Sequence, residues 1–179
     1  MTVSFNQRKI GTEPEIMARL FCSAMQQVGL PSAFCIYRKE NTMVKDIVRD
    51  EKILSIKSEP ATRADMQTVR DLLDTVQANS ERCVGMAANM IGVHKTILVA
   101  LIGEEYIAMI NPRIVDKSKE TYDTEEGCLS LSGVRPVTRF RTIAVEYLDK
   151  KFKRRRGIFR DYEAEIIQHE MDHFEGKII

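Results

Sequence analysis

The sequence predicts an α+β fold. Three features carry that expectation: strand-length apolar runs gather in the middle of the chain, helical periodicities lie towards both ends, and the composition is that of an ordinary globular domain. The 179 residues are 44% hydrophobic and 30% charged, enough to bury one core. Lys and Arg total 27 against 26 Asp and Glu, a formal charge of +1. Such a balance excludes gripping nucleic acid through bulk charge, though not through a local patch. No apolar run reaches the roughly 18 residues that a membrane-spanning helix needs. The opening MTVSFNQRKIGTEPE lacks the apolar stretch of an export signal. Cys22, Cys35, Cys83 and Cys128 are too few and too scattered for a disulfide scaffold. A reducing cytoplasm is therefore the expected compartment.

Two segments are expected, a helical extension over 1–42 and a main domain over 43–179. In the first, Thr12 and Glu15 fit a capping box with Pro14 in the first turn. Ile16, Met17, Leu20, Phe21, Ala24, Met25 and Val28 then recur at helical spacing until Gly29 and Pro31 stop the run. AFCIY (33–37) reads as a short strand, and a self-sufficient pattern begins at Met43, itself a candidate start. Met66, Val69, Leu72, Leu73 and Val76 mark a helix over 64–78, with Asn79 at its end. The small, apolar CVGMAANMIGV (83–93) reads as a loop and close-packed turn. Strands are expected at 95–102 and 106–111 around a Gly-Glu-Glu turn, and at 142–149 and 157–163 around a basic tip, Lys150–Arg156. A last helix is expected from Glu163 to Phe174, stopped by Gly176.

The sharpest chemical signal is HEMDH (169–173). Residues four apart share a helix face, so His169 and His173 can hold one metal ion. Glu170, beside the first imidazole, is placed to act as general base on a water that the metal activates. A catalytic metal usually keeps three protein ligands. His94 and Cys128 are both candidates for the third; thiolate suits zinc or ferrous iron. The competing view of the pentapeptide is a solvated helix face with incidental histidines.

EGCLS (126–130) and QHEMDH (168–173) closely resemble two motifs of the peptide deformylases, and GMAANMIG (85–92) resembles the third, upstream in the right order. The resemblance covers about residues 44–179. It implies antiparallel sheets around a central helix carrying HExxH, to which the periodicity within 1–42 adds an N-terminal helix. It implies Cys128, His169 and His173 as ligands of Fe²⁺, with Zn²⁺, Ni²⁺ or Co²⁺ able to substitute. It implies hydrolysis of the N-formyl group from the initiator methionine of nascent polypeptides. Glu170 would then shuttle the proton to the leaving amine, and the N–H of Leu129 would donate to the developing oxyanion.

The resemblance breaks at one position. Where the family carries a glutamine that completes the oxyanion site, this chain has Met90, and Cys83 replaces the first motif glycine. A thioether donates no hydrogen bond. Losing one oxyanion donor typically costs about 10²–10³ in rate. Asn89 could supply an amide only if the loop slipped by one residue. Two readings follow: a working, slow or specialised deformylase, or a relative that keeps metal and fold but binds peptide N-termini or regulates instead of cleaving. A generic HExxH metalloprotease is a weaker third reading.

For the substrate, Val84 and Ile166 are candidates to line a methionine pocket, and Gly85 to hydrogen-bond an extended peptide by strand addition. Arg135 occupies the family position that contacts peptide. Ser132 stands where many relatives have proline. His94 reads as a structural histidine once Cys128 is taken as the third ligand. Lys150, Lys151, Lys153, Arg154, Arg155 and Arg156 form the basic tip; it is either a solvated turn or a contact for the ribosome.

Overall fold

A computed structural model of the chain describes residues 43–179. The expected helix within 12–28, the short strand at 33–37, and Cys22 and Cys35 lie outside the described residues. Among the described residues the fold is α+β. The helices are α1 (Glu51–Leu54), α2 (Met66–Ala78) and α3 (Asp161–Phe174). The strands are β1 (Gly85–Ala87), β2 (Ile97–Ile102), β3 (Glu105–Lys117), β4 (Thr121–Glu126), β5 (Arg135–Phe140), β6 (Thr142–Leu148) and β7 (Arg154–Arg160). An antiparallel sheet runs in the order β1-β2-β3-β6-β7, and β4 and β5 make a separate hairpin. No helix among the described residues is long and apolar enough to cross a membrane.

The alternation along β2 explains why the sheet is covered on both faces. Ile97 and Val99 join Val69, Leu72 and Val76 of α2 in one core. Leu98 and Ala100 join Ile166 and Ile167 of α3, with Ile143 and Val145 of β6, in the other. The helix bearing HEMDH is thereby pressed against β1 and β2 in the middle of the domain. It begins two residues earlier than expected: Asp161 takes a left-handed φ of 48° and its carboxylate accepts from Arg141 Nη1 at 2.9 Å. Asp161 and Glu163 in the first turn suit the positive end of the helix dipole. Gly176 ends it as expected; at φ 73° a Cβ there would overlap the Ser55 carbonyl.

Several local expectations are corrected. The segment 83–93 is not all loop: Gly85–Ala87 pairs with β2, and a 3-10 turn follows at Ala88–Ile91. Strand β3 runs past Pro112 to Lys117, absorbing two irregularities in its pairing with β6. The basic tip is shorter than expected, because Arg154, Arg155 and Arg156 belong to β7 and pair with Leu148, Tyr147 and Glu146. Asp149 closes the turn itself. Its Oδ1 accepts from the backbone N–H of Lys151 and Lys153 at 2.8 and 3.0 Å. Those backbone bonds, with the Arg155 guanidinium at 2.8 Å, hold its carboxyl down at about 2.

Candidate metal and peptide site

α3 presents His169 and His173 on one face, with ring centroids 4.8 Å apart and planes nearly perpendicular. Cys128 arrives from the loop after β4. One ligand atom from each of the three residues lies within 4.8 Å of the others, and all three residues are buried. His173 Nε2 is 3.4 Å from Cys128 Sγ. The opposite nitrogens are already engaged: His169 Nδ1 with Glu126 Oε2 at 2.7 Å, and His173 Nδ1 with the Lys177 carbonyl at 3.2 Å. These contacts orient both rings with Nε2 towards the cysteine. Burial alone would raise the Cys128 thiol; hydrogen bonds from His169, His173 and the Ser130 backbone outweigh it and favour the thiolate. A thiolate with two oriented imidazoles is the donor set of a soft-to-borderline divalent cation. The chemistry of the donors therefore fits a metal. His94 is excluded from it, with Nε2 2.9 Å from the Ile53 carbonyl.

The cluster is braced by a network that sequence reasoning missed. Arg139, on β5, grips Glu126 with two hydrogen bonds of 2.7 and 2.6 Å and reaches Asp172 with a third of 2.6 Å. Lys177 completes Asp172 at 2.8 Å. Burial alone would raise Glu126, but Arg139 and His169 hold its carboxyl down at about 2. Asp172, the second of the two variable letters of HExxH, thus ties α3 to the hairpin. The available signal was a charged residue on the face of β5 that also carries Val137.

Glu170 stands beside the cluster, 3% exposed, with Oε2 lacking any hydrogen-bond partner. Burial pushes its carboxyl up to about 7, against the pull of His169 and His173. It lines a cavity of about 230 Å³ with Cys128, Leu129, His169, Val84, Gly85 and Ile166. A Cβ on Gly85 would lie 2.7 Å from both Glu170 Oε1 and Ile166 Cγ2, so only glycine permits this approach. β1 is the terminal strand of its sheet. Leu101 N bonds the Val84 carbonyl at 2.8 Å, and antiparallel alternation then turns the Gly85 amide and carbonyl to the free edge. The N–H of Leu129 has no acceptor among the described residues.

Of the residues expected at the site, all but one gather here. The exception is Arg135: it pairs with Glu126 in the hairpin register and lines neither cavity described for this domain. Arg82, which sequence reasoning passed over, lines the cavity. Met90 lines the cavity at 1% exposure. Asn89 does not stand in for the missing glutamine. Its Nδ2 points into the core and donates to the carbonyls of Leu54 and His173, both at 3.2 Å. Cys83 donates to the Gly85 carbonyl at 2.8 Å, and burial pushes its thiol up to about 12.

Comparison with known proteins agrees with this architecture. A peptide deformylase from Clostridium beijerinckii is 55% identical over 137 residues, 76% of this chain and 100% of that protein. One from Pseudothermotoga lettingae is 37% identical, covering 75% of this chain and 80% of its own. The crystal structure of the Ehrlichia chaffeensis peptide deformylase superposes with a TM-score of 0.69 at 34% identity, over 75% of this chain and 85% of that one. The class I type b peptide deformylase of Acinetobacter baumannii, bound to the ligand K1U, gives 0.70 at 29%, over 76% and 97%. The sequence model of the polypeptide deformylase family matches residues 43–179, so the chain belongs to that family.

Proposed function

We propose that the chain hydrolyses the N-formyl group from the formyl-methionine of nascent polypeptides, with Fe²⁺ held by Cys128, His169 and His173; Zn²⁺, Ni²⁺ or Co²⁺ can substitute. The observation that carries this reading is Glu170, with one oxygen lacking a partner, on a cavity that it shares with Cys128 and His169, while His173 completes the donor cluster. When bound, the metal supplies Lewis-acid polarisation and lowers the pKa of water. The protein does the rest. Glu170 accepts a proton from water and returns it to the leaving amine. The Leu129 N–H donates to the oxygen on which charge develops. The edge of β1 at Gly85 aligns the peptide by main-chain hydrogen bonds, while Val84 and Ile166 receive the methionine side chain. Such work on nascent chains belongs in the cytoplasm.

Met90 favours the second reading, a protein that binds formylated N-termini without cleaving them, because neither it nor Asn89 offers a donor to the cavity. The deciding experiment is a deformylation assay on a formyl-Met peptide after anaerobic loading with Fe²⁺. Met90→Gln is expected to raise kcat/KM by about 10²-fold, the value of one oxyanion donor. Turnover in the parent protein supports cleavage. Its absence, with rescue by Met90→Gln, turns the reading to binding.

The ribosome is the proposed partner of the basic hairpin Lys150–Arg156. Support comes from Arg154 and Arg156, exposed on β7, the last strand of its sheet. Replacing Lys150, Lys151, Lys153 and Arg154 with Glu is expected to abolish co-sedimentation with ribosomes at low salt. Unchanged co-sedimentation would sink the assignment.

A further inference from the structure

A second cavity, of about 390 Å³, opens behind the same loop and is lined by Arg49, Arg82, Gly127, Cys128, Leu129 and Leu131. Four of these residues, Arg82, Gly127, Cys128 and Leu129, also line the first cavity. The two spaces therefore share a wall made of Arg82 and the Gly127–Leu129 loop. Their charges differ in balance. The first is lined by four carboxylates, Glu125, Glu126, Glu165 and Glu170, against the shared Arg82. The second carries two exposed guanidinium groups and no carboxylate. Neither Arg49 nor Arg82 forms an ion pair among the described residues. Two guanidinium groups sharing a concavity without a counter-charge raise its positive potential, and their planar donors match a carboxylate.

We propose that this cavity is a carboxylate site for the formate released by the reaction. The inference rests on the deformylase reading. Hydrolysis breaks the formyl C–N bond and forms a C–O bond to water; the amine leaves with a proton, and formate leaves with one negative charge. That charge arises between Glu170 and Cys128. The carboxylates of the first cavity repel it, and Arg49 together with the shared Arg82 attracts it into the second. Peptide and formate thus leave on opposite sides of the Gly127–Leu129 loop.

A carboxylate could also come from an acidic side chain of the peptide, so the test has two arms. In the first, ¹³C-formate is titrated into the metal-loaded protein without peptide, and line broadening is followed by NMR. The half-saturating concentration is expected to rise at least about tenfold in the Arg49→Ala/Arg82→Ala double variant, one decade being a modest charged contact. In Arg49→Lys/Arg82→Lys it falls between the two, since the charge is kept and the planar fork is lost. Equal formate affinity in the parent and the double alanine variant overturns the proposal. In the second arm, formyl-Met-Ala and formyl-Met-Asp peptides are compared. A selective loss of kcat/KM for the Asp peptide, with formate affinity unmoved, assigns the arginines to the peptide and also overturns it. Turnover is scored separately: its absence removes the deformylase reading, while the broadening still decides the anion site.

Discussion

Glu170→Gln is expected to lower kcat for deformylation by about 10³-fold, within the range for a positioned general base. The amide keeps the volume of the carboxylate but accepts no proton. The other carboxylates on the cavity are engaged or solvated: Glu126 is committed to Arg139 and His169, Glu165 accepts from the Tyr122 hydroxyl at 2.6 Å, and Glu125 is exposed. Because Glu170 lies outside the three-residue donor cluster, metal content is expected to match that of the parent. Kinetics and metal analysis on one preparation check both statements. A kcat within fivefold of the parent, with metal in place, would remove Glu170 from the chemistry.

Arg139→Ala carries the largest expected cost in stability. The guanidinium is 7% exposed and is shared by two carboxylates, Glu126 and Asp172, that are 6% and 18% exposed. Removing it leaves Glu126 with His169 and Asp172 with Lys177, and takes the bidentate partner from the buried Glu126. Loss of one partner of a buried ion pair typically costs about 3–5 kcal/mol, which for a domain of this size lowers Tm on the order of 10 °C. The damage extends to the metal. Glu126 holds the His169 ring through Nδ1, and losing such an outer partner typically weakens metal binding about 10–100-fold. Arg139→Lys recovers charge but not the two-pronged grip, so it falls between. Thermal unfolding with and without added metal reads both effects. A Tm shift under 2 °C would mean that water replaces the guanidinium.

How much of this was legible depended on whether a pattern was local. HEMDH could be read because both histidines sit on one helix at fixed spacing. Cys128 could not be chosen over His94 from spacing; the resemblance of EGCLS to a known motif made that choice. The strands around β2 and β3 followed from apolar runs. The β4–β5 hairpin did not, because its buried face holds Glu126 and Arg139, which mimic a solvated loop when read singly. The direction of Asn89 was equally hidden. Its amide is held by carbonyls 35 and 84 residues distant in sequence, which no window along the chain contains. Arg82 was hidden for a related reason, since it reaches the cavity from a turn that no motif marks.

The brevity of β1 has a consequence for what the protein accepts. Three residues span only about 10 Å of strand, so its open edge can engage two or three peptide units and no more. Affinity from main-chain bonds is indifferent to side chains; only a pocket reads identity. A catalyst built this way inspects one side chain, the first, and ignores the remainder. Such indifference is the property required of something that meets every newly made protein once, at the same end, whatever follows.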